Sequence, residues 1–361
     1  MTTDNLLPRP RLDSRESWLD WLAINPGKAA LFFDDGAGRK ILHRAGERHP
    51  IASTVKLLHL SALTEAAASG RIGVLDRVPL AEWDRYHLPG TDGGARARAF
   101  DALGLQRAGE SAADGRAGGP LLALAKAMIA FSDNSAADLL LHRLGPEQLV
   151  LAGQRHGWAE PDVRSLLGEL LLLVEEEPLA ERGTGERRLR GYELRDRYLA
   201  DPRFRDAVRA RAAITVSRGP YPEQCRWAAG GPAGSAGDLG RLLGSIAAGA
   251  VAGDEPSALA QRFLEVADSR SSVPGVVGVG FKGGAVPGVL SAAVNVRWAD
   301  GRTGAAALVA TGLDRTGYVS GVGSGSLPAL LRSALTGGTW AERLRDGLGA
   351  SARTTDGSGT G

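Results

Sequence analysis

The spacing of apolar positions changes character along the chain, and each change marks an element. "SRESWLDWLAINPG" (residues 14–27) repeats apolar residues at helical spacing behind Ser14 and stops at a glycine, which predicts a short capped helix. Two extended apolar runs follow, "AALFFDD" and "KILHRAG", divided by Gly36 and Gly38 as in a β-hairpin. Helical periodicity then opens at Ser53 or Thr54 and runs to Ser69, with Gly70 as its stop. From there to about residue 230 the pattern stays helical between loops. "LLALAKAMIAF" and "SAADLLLHRLG" are two apolar helices with "SDN" at their junction, and "VEEEPLAERGTGERRLRGYELRDRYLA" reads as a solvated helical hairpin. The glycine-rich stretch "HLPGTDGGARARAF" reads as an exposed loop.

After "DLGRLLGSIAAGAVAG", a further apolar helix, the period shortens again. "VVGVGFKGG", "VLSAAVNVRWAD" and "GAAALVATGL" form a three-strand meander, and "LPALLRSALTGG" and "TWAERLRDGL" return to helix. Neither the hairpin nor the meander is large enough to stand alone. Joined, they make a five-stranded antiparallel sheet with the N- and C-terminal helices on one face. The fold class is therefore α+β, with residues 1–52 and 235–348 forming a discontinuous sheet domain around an all-helical insert at 53–234. Residues 349–361, "GASARTTDGSGTG", lack core-forming side chains and are expected to be disordered.

Composition narrows the function classes. A net charge of +2 from scattered basic residues, without a basic stripe interleaved with aromatics, argues against a nucleic-acid partner. No apolar run reaches the length of a membrane span. The single cysteine, Cys225, excludes an intramolecular disulfide. The N-terminal "MTTDNLLPRPRLDSRESW" has neither an apolar core nor a small-residue cleavage site, so a cytoplasmic location is expected. The six histidines show no close metal-ligand spacing, and no metal or organic cofactor is implied.

Only five of the 43 Lys+Arg residues are lysine: Lys28, Lys40, Lys56, Lys126 and Lys282. A desolvated lysine can lose its proton whereas an arginine cannot, so these positions are where base chemistry would lie. Two fall in short motifs. Ser53-Thr54-Val55-Lys56 places a hydroxyl and an amine one helical turn apart, and Lys282-Gly283-Gly284-Ala285 ends a strand-like run with nearly side-chain-free backbone. Between them stands Ser132-Asp133-Asn134. A lysine beside a second ammonium has a depressed pKa and can accept a serine proton. Ser132 can relay a proton to a leaving group, Asn134 offers an amide to a substrate carbonyl, and the N–H groups of Ser53 and Ala285 can form an oxyanion hole. Taken singly, each motif has another explanation: Ser53 and Ser-Asp-Asn are ordinary helix caps, and Lys282 an ordinary charge on an edge strand.

In the order "STVK … SDN … KGG" the motifs resemble the serine β-lactamase and penicillin-binding-protein superfamily. The resemblance covers nearly the whole chain and implies a β-lactamase/transpeptidase-like fold. It also implies Ser53 as acyl-enzyme nucleophile, Lys56 as base, Ser132 as relay, Asn134 as substrate ligand and Lys282 as electrostatic anchor, with Gly283, Gly284 and Ala285 along the substrate. Two departures stand out. The Glu-x-x-Leu-Asn loop that positions hydrolytic water in class A enzymes is replaced by "WAEPDVRSLLGELLLL", where Glu169 is the candidate carboxylate, and Gly283 stands where the superfamily has a hydroxyl. Tyr86, before a glycine-rich loop, is a further candidate for the cleft wall. The expected function is a serine hydrolase acting on a small ester or lactam, weak on β-lactams. The alternatives are a slowly deacylating penicillin-binding or D-Ala-peptidase-like protein and a non-catalytic binding protein on the same fold.

Overall fold

The computed structural model describes residues 11–175, 183–265 and 273–349, and the backbone of 352–354. The first helix, Arg15–Ile24, is opened by the Ser14 capping box, in which the Ser14 hydroxyl accepts from the Ser17 amide. Strands Ala29–Asp34 and Arg39–His43 form the predicted hairpin, and Val276–Val286, Val289–Trp298 and Thr303–Thr311 form the predicted meander. They join through Ala29–Asp34, which pairs antiparallel with Thr303–Thr311. Val276–Val286 is left as one edge of the sheet.

A sixth short strand, Ala352–Thr354, pairs with Arg39–His43 at the other edge. It lies in the segment expected to be disordered. A strand needs only free backbone groups opposite it, so poor core-forming composition did not reveal it. Residues 350–351 and 355–361 of that tail lie outside the described residues.

Both sheet faces are covered. Leu12, Trp18, Leu22 and the C-terminal helices Ser326–Thr336 and Trp340–Gly347 close one face. Helices Ala236–Ala252 and Glu255–Leu264 lie on the other, and their core continues through helix Lys56–Ala68 into the helical region. A helix not read from the sequence, Arg315–Ser324, is capped by Asp314. Its glycines concealed it, yet one of them is needed: a Cβ on Gly321 would come within 2.6 Å of Leu290.

Two charged segments are less solvated than expected. Of the charged stretch expected to be a solvated hairpin, residues 176–182 lie outside the described residues; helix Thr184–Ala200 buries Arg187, Leu194 and Tyr198, because each finds a partner in the adjoining helices. The second half of the loop expected at 87–100 folds into helix Ala95–Ala102 and buries Arg96 completely. Among the described residues no helix is long and apolar enough to cross a membrane.

Candidate active site

Ser53 lies in a 3-10 turn, Ala52–Val55, that runs directly into helix Lys56–Ala68. The α-helix thus begins slightly later than its apolar pattern suggested. Ile51 is fully buried and its carbonyl accepts from both Thr54 Oγ1 (2.6 Å) and Ser291 Oγ (2.7 Å), which ties the turn to the sheet. Ala52 is held at φ 49° and Ser132 at φ 66°, so two of the three described non-glycine residues in left-handed conformations flank this site. Such conformations persist only where the surroundings impose them.

Ser132 is the hinge between the turn Ala127–Phe131 and helix Asn134–Leu144. The cap of that helix is Asp133, whose carboxylate accepts from the Ala136 amide (2.9 Å) and from Ser135 Oγ. With Asp133 as cap, Ser132 and Asn134 are free to face Lys56. The buried guanidinium of Arg96 pairs with Asp84 and Asp133 and donates to Ser135 Oγ (2.7 Å), holding this corner rigid. Arg96 is a residue that sequence reasoning missed. Its only signal was an arginine inside a glycine-rich stretch, which ordinarily means solvent.

Lys56 is completely buried. Its Nζ donates to Ser53 Oγ (3.1 Å), Ser132 Oγ (3.1 Å) and Asn134 Oδ1 (2.7 Å), and contacts the Ser132 carbonyl. Lys282 Nζ donates to the same Ser132 Oγ (3.0 Å) and to the Gly283 carbonyl (2.9 Å). Burial is the main force on both amines and disfavours the ammonium form. It brings Lys56 down to about 7, against the opposing pull of Asp133, Asp138 and Asp92. Lys282 is lowered well below the ordinary lysine value by burial and by the charge of Lys56.

The sheet edge closes on the serine without a side chain between them. A Cβ on Gly284 would stand 2.6 Å from the Ile51 carbonyl oxygen and 2.8 Å from the Ser53 amide nitrogen, so this position requires glycine. A cavity of about 690 Å3 opens here, and Ser53, Ser132, Asn134, Lys282, Gly284 and Ala285 all line it. Gly283 lines it as well.

The two remaining candidates are placed differently. Glu169 borders the cavity, but both carboxylate oxygens are engaged: Oε1 accepts from Arg164 (3.0 Å) and Oε2 from Arg187 Nε (3.0 Å) and its neighbouring nitrogen. Tyr86 does not line the cavity; it is buried in the helical core with its ring 5.9 Å from that of His142. The glycine-rich loop after it does reach the cleft, through Thr91, Asp92 and Gly93. The tyrosine ring itself is drawn inward by the apolar surface it buries.

Asp138, one turn beyond Asn134, was also not anticipated. It is buried, accepts from the Leu167 amide (2.7 Å) through Oδ2 and leaves Oδ1 without a hydrogen-bond partner. Burial pushes its carboxyl up to about 6.

A profile of the beta-lactamase enzyme family matches residues 16–319. Among solved structures, the β-lactamase from Sphaerobacter thermophilus is 17% identical over 89% of this chain and 98% of its own, with a TM-score of 0.56. The chromosome-encoded β-lactamase of Vibrio parahaemolyticus is 15% identical over 87% of this chain and 97% of its own, with a TM-score of 0.51. At these identities the structural likeness speaks for the fold. A search of curated proteins finds no significant match.

Proposed function

The chain belongs to the beta-lactamase enzyme family, and from that premise we propose that it is a serine hydrolase acylated at Ser53, acting on small esters or activated amides such as lactams, and weak on β-lactams. The observation that carries this reading is the Lys56 amine. It is buried, is shifted to about 7, and lies 3.1 Å from both the Ser53 and Ser132 hydroxyls.

In its neutral form Lys56 takes the proton of Ser53 as Oγ attacks the substrate carbonyl carbon. The resulting oxyanion is held by the N–H groups of Ser53 and Ala285. When it collapses, the carbonyl–oxygen or carbonyl–nitrogen bond breaks. The proton on Lys56 then passes through Ser132 Oγ to the departing oxygen or nitrogen. A serine hydroxyl has two lone pairs and one hydrogen, so Ser132 can accept from one amine while donating into the cleft. Lys282 keeps that hydroxyl in place and lends positive charge. Asn134 orients the acyl carbonyl. Water then attacks the acyl carbon and its proton goes to neutral Lys56; as the acyl carbon–Oγ bond breaks, Lys56 returns that proton to Ser53 Oγ and the acid is released.

Deacylation lacks a dedicated carboxylate in this scheme, since Glu169 is occupied by two guanidinium groups. That favours esters over β-lactams as productive substrates. It also supports a second reading, a slowly deacylating protein of the penicillin-binding kind. Intact-protein mass after incubation with a fluorophosphonate and with a β-lactam tests both. An adduct on the wild type and none on Ser53→Ala is expected, and the decay of the β-lactam adduct separates the two readings. Absence of any adduct would sink the catalytic assignment and leave a binding protein.

A further inference from the structure

One wall of the cleft carries chemistry that the reaction scheme does not use. Leu166, Leu170 and Leu173 of helix Leu166–Val174 all border the cavity, at the four- and three-residue spacing that puts them on one face. Over this stripe the helix runs ~10 Å at 1.5 Å per residue. Trp227 and Val286 border the same cavity, Val286 from the strand that also bears Lys282 and Ala285.

Polar groups that could interrupt this surface are turned to other partners. The Glu169 carboxylate, on the same helix face, is held by Arg164 and Arg187. The Trp227 indole N–H donates to the Glu169 carbonyl (2.8 Å), and the Gln224 amide donates to the carbonyls of Val216 (2.8 Å) and Gly219 (3.2 Å). Lys282, on the strand that also bears Val286, donates to Ser132 Oγ and to the Gly283 carbonyl. Gly283 supplies no hydroxyl. Among the described residues of this wall, no charge remains free to meet a substrate carboxylate; Arg98 borders the cavity from a different element, helix Ala95–Ala102, and donates to the Gly93 carbonyl (2.9 Å).

We propose that this groove receives the acyl side of the substrate, and that the preferred acyl group is an uncharged, medium-length apolar chain. The inference rests on the assignment of Ser53 as nucleophile. Leucine side chains beside the acyl carbon reward each methylene they remove from water, whereas a carboxylate placed there would be desolvated without a partner. Leu170, Leu173 and Trp227 are then the residues that set selectivity.

A series of p-nitrophenyl esters tests this, because the leaving group stays constant while the acyl chain lengthens from acetyl through butanoyl and hexanoyl to octanoyl. The expected result is a rise in kcat/KM of about two- to fourfold per methylene up to hexanoyl. The anionic succinyl ester is expected to fall at or below acetyl. Leu173→Asp, at a half-buried position of that helix, should reduce the hexanoyl-to-acetyl ratio at least tenfold. Labelling of Ser53 by a fluorophosphonate reports that each variant is folded and competent. A labelled Ser53 with a flat chain-length series, or with preference for the succinyl ester, would overturn the inference and leave the acyl-enzyme reading intact. A Ser53 that neither labels nor turns over any ester would overturn both.

Discussion

Lys282 and Ser132 stand 150 residues apart in the chain and are joined by a 3.0 Å hydrogen bond, on the same hydroxyl that Lys56 contacts at 3.1 Å. Two buried amines on one hydroxyl cannot both stay fully protonated at little cost. This relationship converts three modest motifs into one proton-handling unit, and it determines how the site responds to pH.

Acylation of Ser53 should therefore follow the neutral fraction of Lys56. Its rate is expected to rise about tenfold per pH unit below the Lys56 pKa of about 7 and to level off above it. The same shift affects stability. The folded state releases this proton earlier than the unfolded chain does, so unfolding takes up protons between about pH 7 and the ordinary lysine value. On this account stability increases with pH across that window. Fluorophosphonate labelling rates from pH 5.5 to 9 check the first statement, and a rate independent of pH would refute it.

Gly284→Ala should damage the site more than the fold. The new Cβ would meet the Ser53 amide nitrogen at 2.8 Å and the Ser291 hydroxyl at 2.5 Å, pushing the strand away from the serine. Because the displaced group is a proposed oxyanion donor, a loss on the order of a hundredfold in acylation is expected, with a stability cost of about 1–3 kcal/mol. Labelling kinetics and thermal unfolding measured together distinguish this from general unfolding.

Glu169→Gln should lower stability by about 3–5 kcal/mol, since Arg164 and Arg187 would keep buried charges with one carboxylate fewer. The lifetime of the acyl-enzyme should stay within about threefold of wild type below the new unfolding temperature. A strongly prolonged adduct would instead make Glu169 the hydrolytic base.

Asp138→Asn should stabilise the protein at pH 7. The carboxyl, raised to about 6, binds a proton more tightly in the folded chain, so wild-type stability falls as pH climbs from about 4 to 6. Asparagine carries no charge and retains an oxygen for the Leu167 amide. A gain on the order of 1–3 kcal/mol is expected at pH 7, shrinking towards zero below pH 4. Denaturant melts at the two pH values measure it.

Much of the architecture was already present in residue order. The hairpin, the meander and the N-terminal capped helix were legible because period and punctuation act locally: a run of alternating or continuous apolar residues needs no distant partner to declare itself. The three short motifs at Ser53, Ser132 and Lys282 were legible because the members of each lie within four residues of one another. Distant partners left no such mark. Arg96, Asp138 and Arg187 are charged residues in stretches that read as loop or helix, and their burial depends on groups that other segments supply: Asp84 and Asp133 for Arg96, the Leu167 amide for Asp138 and the Glu169 carboxylate for Arg187. Tyr86 went the other way, into the core rather than the cleft.

Local pattern thus specified the elements and the nucleophile's immediate neighbours, since these depend on spacing along one backbone. Long-range packing specified everything that depends on desolvation: the lowered lysine, the sequestered glutamate and the leucine-lined wall. Burial is a property of the folded whole, and a side chain's pKa and partners follow from it.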